Sequence, residues 1–188
     1  MRALKVFLFL SLIFNTACVR KFAINKLGDA LAGSGTVFAS DDDPELIASA
    51  APFSLKLMES LLAETPNHTG LLLAASRGFT QYAFAFVQAH AEEIESDNFD
   101  ESSQQQARAR RLYLRARDYG LRGLETRHRG FRLAFARNSR AVSQTTKSDV
   151  ALLYWTAASW GAAISSPACI FSVIVLMRKP AKRIGFAR

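Results

Sequence analysis

Histidines, cysteines, clustered carboxylates and glycine-flanked serines are the residues through which this chain could do chemistry. His68 falls in the breaker-rich turn "ETPNHTG", His90 at a polar helix end and His128 in the basic turn "TRHRGF". None has an acid, base or nucleophile at a recognised motif spacing. His90 and Glu93 form an i, i+3 pair, as metal-binding bundles use, but a site needs further ligands from other helices, so a solvated helix terminus is expected. "AGSGT" at 32–36 fits neither the nucleophile elbow nor the phosphate loop, lacking the flanking glycine pattern of the one and the Gly-Lys-Ser/Thr ending of the other. Asp41, Asp42 and Asp43 lack the alternating spacing and distal Glu of a calcium loop and suit helix capping instead. The Asn67-His68-Thr69 sequon matters only on a eukaryotic secretory route. No catalytic residue, metal or cofactor is expected, and the chain does not read as an enzyme.

Cys18 has a different chemistry. The first residues run Met1-Arg2-Ala3-Leu4-Lys5, then uncharged apolar Val6 to Phe14, then Asn15-Thr16-Ala17-Cys18. A basic start, a short apolar stretch and a small-residue site make an export signal over residues 1–17, too short to span a bilayer. Small residues before a cysteine resemble the lipobox of bacterial lipoproteins, in which cleavage precedes the cysteine and its thiol carries a diacylglyceryl group. Asn15 departs from that pattern, which has an aliphatic residue three before the cysteine. Ordinary signal cleavage beside Cys18 is the alternative. With Cys18 acylated, the other cysteine, Cys169, has no disulfide partner, and the fold must rest on its core.

The formal charge of +8 drops by two if Arg2 and Lys5 leave with the signal. An exported chain is a poor partner for nucleic acid; acidic protein surfaces and anionic lipid headgroups fit better.

The elements that must position these residues read as helices throughout. Residues 18–43 form a small-residue, Gly-rich segment, lipid-anchored and flexible in expectation. Asp43 can cap a helix starting at Pro44, whose ring suits the first turn. Ile47, Ala50, Ala51, Leu57, Met58, Leu61 and Leu62 recur at helical spacing, and a second helix runs from about Thr69 to Glu93, making an antiparallel hairpin. After the polar break "EIESDNFDESSQQQ", a third helix places Leu112, Ala116, Tyr119 and Gly123 on one face and a basic stripe, Arg108, Arg111, Arg115 and Arg122, on the other. That stripe is a solvated face or a partner contact. Ser148 can cap a fourth helix, apolar nearly all round. The expectation is an all-α fold of antiparallel helix hairpins over residues 44–165.

Phe79, Tyr82 and Phe86 on the second helix, with Tyr154, Trp155 and Trp160 on the fourth, are a heavy aromatic load for two helices. Core packing accounts for most of it. A share of these rings can line a ligand or partner site, since Tyr and Trp carry polar tips.

The stretches "LGDALAGSGTVFASDDDPELI", "SLKLMESLLAETPNHTGLLLAASRGFTQYAFAFVQ", and "ARRLYLRARDYGLRGLE" with "DVALLYWTAASWGAAIS" together resemble the T-component (TatT) family of TRAP transporters. The resemblance runs from the lipobox to about Ser165. It implies a periplasmic lipoprotein, anchored to the envelope membrane, with a tetratricopeptide-like helical array acting beside the TRAP periplasmic substrate-binding protein. It implies binding rather than catalysis, and a homo-oligomer is one option for such a scaffold. The usual tetratricopeptide consensus is not visible, and the first two helices are long for that repeat.

The tail, residues 166–188, departs from the family: "SPACIFSVIVLMRKPAKRIGFAR" has no acidic residue. A truncated or frameshifted reading frame is the simplest account of this aberrant apolar and basic end. Two other readings compete with the accessory role. One is an envelope hydrolase. The other is a membrane-anchored structural protein whose uncharged stretch Ala151 to Met177 crosses the bilayer, against which Pro167 interrupts the run.

Overall fold

The computed structural model describes residues 22–33, 38 and 40–165, and among them every regular element is helical. Helix α1 comprises residues 22–33, within the segment expected to be flexible. Its inward residues Ile24, Leu31 and Ala32 pack against the first core cluster. Gly28 lets it close on the next hairpin: a Cβ there would lie 2.9 Å from both His68 and Leu71.

Helix α2 (Pro44–Glu64) starts as the sequence predicts. The Leu46 N–H donates to Asp43 Oδ1 at 2.9 Å, and Glu45 complements the positive end of the helix. A short turn leads to α3 (Thr69–Tyr82), whose N-cap is His68: the Leu71 N–H donates to His68 Nδ1 at 3.2 Å. The helix continues through a π-helical segment (Ala83–Gln88) into α4 (Ala89–Glu93) with no break in helical dihedrals. The i→i−5 bond of that segment runs from the Ala89 N–H to the Phe84 carbonyl.

Helix α5 (Phe99–Arg127) is capped by Asn98 and is the longest element. Where the sequence shows only a less periodic stretch, the chain forms α6 (Phe131–Arg137) and two 3-10 turns, Ser139–Gln144 and Lys147–Asp149. Gly130, at φ 86°, takes the left-handed conformation that admits the turn into α6. Helix α7 (Val150–Ser165) follows. The 3-10 turn before it is closed by a capping box of Thr146 with Asp149, whose carboxylate accepts from the Thr146 N–H (2.8 Å) and hydroxyl (2.9 Å).

Helix α5 is the central post, packed against α3 and α7 and antiparallel to both, with α3 and α7 also touching each other and α2 packed on α3. The core is a chain of three clusters. Leu55, Met58, Leu62, Leu71, Leu72 and Phe79 join α2, α3 and α5. Ala83, Val87, Ala109, Tyr113 and Ala163 join the π-helical segment, α5 and α7. Leu121, Leu124, Phe131 and Leu152 join α5, α6 and α7. The fold is all-α and built from antiparallel hairpins, as expected. Helices of 21 and 29 residues exceed what a repeat of ~34 residues, shared by two helices and a turn, leaves to either.

Candidate functional site

The concave feature with chemistry worth describing lies between α2 and α3. A cleft of about 230 Å³ is walled by Ile47, Ala51, Leu55 and Met58 from α2 and by Ala74, Gly78 and Tyr82 from α3; Ala85 and Phe86 close one end and Phe38 borders it. Three residues give it polarity: Ser54, Arg77 and Gln81. Beside the cleft α2 and α3 approach closely, for a Cβ on Gly78 would come within 2.8 Å of the Leu55 methyl. The adjoining π-helical segment rotates Phe86 in and leaves Phe84 outward and largely exposed. Tyr82 and Phe86, four residues apart, have ring centroids 5.7 Å apart.

Arg77 is the one charged side chain of α3 and is half-buried. An apolar cleft with a guanidinium and a carboxamide on its lining can bury a hydrophobic group and pair an attached anion or carbonyl. The sequence signal for Arg77 is present in retrospect: a lone charge in "TGLLLAASRGFTQY", four residues before Gln81.

The six aromatic candidates do not come together. Tyr82 and Phe86 line the cleft. Phe79 is buried in the first core cluster, stacked on Tyr119 at 5.8 Å. On α7, Trp160 is half-buried with the Arg117 guanidinium 5.2 Å from its ring centre. Tyr154 is exposed and meets Trp155 edge-on at 5.0 Å.

The basic stripe likewise divides. Arg108 and Arg111 are exposed. Arg115 lies over Phe79 at 5.4 Å and 3.5 Å from Glu59 Oε1. Arg122 lies over Tyr119 at 5.5 Å and donates to the Pro66 carbonyl at 3.1 Å. These two cations hold α5 to the α2–α3 hairpin. Between them, the Tyr119 hydroxyl donates to Glu59 Oε1 at 2.7 Å, and Lys56 closes on Oε2 at 2.6 Å. Burial works to raise the Glu59 pKa, but hydrogen bonds from Lys56 and Tyr119 with the Arg115 charge outweigh it and hold the carboxyl below its ordinary value. Burial first, then the Glu59 hydrogen bond and charge, push the Tyr119 phenol up.

Two histidines have partners that the sequence spacing did not show. His68 Nε2 lies 3.3 Å from Asp29 Oδ1 of α1. His128 Nε2 lies 2.8 Å from Asp149 Oδ2, and Arg127 reaches Oδ1 at 3.0 Å. Their sequence separations of 39 and 21 residues are set by packing rather than by any local motif. Asp149 is 1% exposed, and although burial works to raise its pKa, bonds from Thr146, His128 and Arg127 hold the carboxyl well below the usual range. The contacts from Arg127 and His128 tie the α5 end to the α7 start, so the His128–Asp149 pair acts as a clamp. His90 is exposed, and among the described residues no group of three metal-binding side chains occurs. Cys18, Cys169 and the tail from 166 to 188 lie outside the described residues. Among those described, α2 is the one helix long and apolar enough to cross a membrane by composition.

A family model described as TRAP transporter T-component matches residues 40–176, taking in all of α2 to α7 and the first part of the tail. An uncharacterized protein of Treponema pallidum (strain Nichols) is similar: 40% identical over 134 residues, 69% of this chain and 42% of that protein. The chain thus spans less than half the length of this relative. The family is one of transporter accessory proteins associated with the cell envelope. With a match that covers most of the sequence and the whole helical array from α2 onward, the chain belongs to the TRAP transporter T-component family.

Proposed function

We propose that this chain is a periplasmic accessory component of a TRAP transporter, a scaffold of antiparallel helix pairs held to the envelope membrane by a lipid on Cys18. It docks the periplasmic substrate-binding protein and takes a small apolar ligand, or an apolar part of one, into the α2–α3 cleft. The observation that carries the ligand reading is the cleft itself: a mostly apolar lining, three aromatic rings, and Arg77 as its single formal charge. The exposed guanidinium groups of Arg108 and Arg111 on α5 supply a docking surface for an acidic partner.

The test is titration calorimetry of the full chain with a TRAP substrate-binding protein encoded beside it. Binding is expected, weakened at least tenfold by Arg108→Glu with Arg111→Glu, a loss of about 1.4 kcal/mol or more. Absence of binding across such partners overturns the docking role. For the anchor, Cys18→Ser is expected to move the protein from the membrane to the soluble fraction, because two acyl chains make a stable attachment where one is marginal. Unchanged fractionation overturns it.

A further inference from the structure

Charge is sorted along this bundle. Residues 41–45 and 92–101, at the end where α2 starts and α4 gives way to α5, hold ten acidic residues and no basic one. The opposite end, where the chain passes from α5 through α6 to α7, has the reverse balance: residues 126–148 hold Arg127, Arg129, Arg132, Arg137, Arg140 and Lys147 and no acidic residue. Arg127 is taken by Asp149. The other five are exposed, and among the described residues none of them is in an ion pair. The two carboxylates that flank the segment are already committed. Glu125 accepts from the Gly130 N–H at 2.7 Å and the Arg132 N–H at 2.9 Å, its charge felt by Arg129 and Arg132, and Asp149 is buried in the clamp. The segment is fixed from within: Phe131 is buried with Leu121, Leu124 and Leu152, and Phe135 stacks on Phe131 and meets Trp160. Arg132, Leu133, Ala136 and Arg137 therefore share the outward face of α6. Leu133 is 60% exposed between two arginines, and Val142, two residues after Arg140, is 38% exposed.

We propose that this face rests on an anionic phospholipid surface. Guanidinium groups pair with headgroup phosphates, arginine stems lie along the boundary with the acyl chains, and Leu133 and Val142 enter it. A protein partner would have to set a carboxylate against each cation and a pocket around Leu133, whereas a fluid headgroup layer meets both needs without a matching shape. Each Lys or Arg near such a surface raises partition about fivefold. The two ends lie ~43 Å apart along the 29 residues of α5, about five Debye lengths at physiological salt. The distant carboxylates thus leave the attraction intact and disfavour the reverse orientation, so the bundle stands with its acidic end away from the bilayer. This contact is reversible and screened by salt, so it orients the chain and does not replace a lipid anchor; it stands whether or not Cys18 is acylated.

The experiment uses the full-length chain with Cys18→Ser and Cys169→Ser, so that neither an acyl group nor a native thiol contributes. It should sediment with phosphatidylglycerol vesicles and not with phosphatidylcholine vesicles, and raising salt from about 0.05 M to about 0.5 M should weaken binding roughly tenfold or more. Arg137→Glu with Arg140→Glu, both at exposed positions, should weaken it about tenfold or more while the far-ultraviolet helix signal is kept. Independently, an environment-sensitive dye on Ser139→Cys should shift to the blue on phosphatidylglycerol vesicles, whereas the same dye on Ser96→Cys, in the acidic turn at the other end, should not. If the double variant unfolds, the two dyes decide alone. Unchanged binding by a folded double variant overturns the proposal, as does a response of both dyes or of neither. Absence of vesicle binding also overturns it; if the double variant then loses affinity for the TRAP substrate-binding protein, the face belongs to an acidic protein surface.

Discussion

Gly120 of α5 lies so close to Thr156 of α7 that a Cβ on the glycine would overlap the threonine Oγ1. The same point is 3.1 Å from Ser76 Oγ of α3, so three helices meet where each presents a small side chain. The Thr156 hydroxyl donates within its own helix, to the Leu152 carbonyl at 2.6 Å, and the buried Ser76 hydroxyl has no partner among the described residues. Close approach of the backbones, rather than side-chain hydrogen bonding between helices, holds this crossing together.

Gly120→Ala should therefore destabilise the fold by about 1–3 kcal/mol through overpacking, with the urea m-value unchanged. Ser76→Ala removes an unpaired buried hydroxyl and should be neutral or mildly stabilising. Urea unfolding followed by circular dichroism measures both. A neutral Gly120→Ala would mean that α7 can shift away from α5 at little cost.

Asp149→Asn should cost about 3 kcal/mol, since it leaves Arg127 and His128 facing a buried neutral group. The pH dependence has a definite sign. The folded pKa of Asp149 lies below the ordinary 3.8, so its contribution is fully present above that value and is lost progressively as pH falls below it. Wild type should lose more stability than Asp149→Asn between pH 5 and the acid limit. Parallel curves would show that the clamp does not form.

The Tyr113 hydroxyl donates to Gln88 Oε1 at 2.7 Å, bridging α5 to the π-helical segment. Burial, reinforced by the Glu92 charge, pushes its pKa up to about 12. A raised pKa contributes stability that is present below the ordinary value of 10.0 and is lost as pH rises through about 12. Tyr113→Phe should cost about 1 kcal/mol at neutral pH and flatten the alkaline unfolding curve. An unchanged alkaline midpoint would remove the assignment.

Filling the cleft tests whether it binds. Ala51→Phe, at a half-buried wall position, should abolish binding of an apolar anionic dye such as anilinonaphthalene sulfonate, with the melting temperature kept within a few degrees. Arg77→Gln should weaken the dye about tenfold, or ~1.4 kcal/mol, while sparing an uncharged apolar probe. Equal losses for both probes would show that Arg77 shapes the cleft rather than pairing with an anion.

Periodicity alone determined the helical class, the α2–α3 hairpin, the Asp43 cap and the inward face of α5, because each depends on residues within one or two turns of each other. The buried Met58, Leu61, Leu62, Ala116 and Gly123 follow from that local spacing, whereas the structure buries Leu55 where the spacing pointed to Leu57. The resemblance of long strings in the sequence to one family was likewise legible and was met by the family match. Only the tertiary structure decided which aromatics serve a cleft and which a core. Phe79 and Tyr82 are neighbours on one helix, but a Tyr119 ring covers the first and a gap between α2 and α3 opens beside the second. The pairing of His128 with Asp149 and the capture of Arg115 and Arg122 by rings were equally hidden. Those contacts join residues on different elements, and their distances depend on how closely helices approach, which at Gly78, Gly120 and Gly123 is decided by the missing side chain and its partner across the interface.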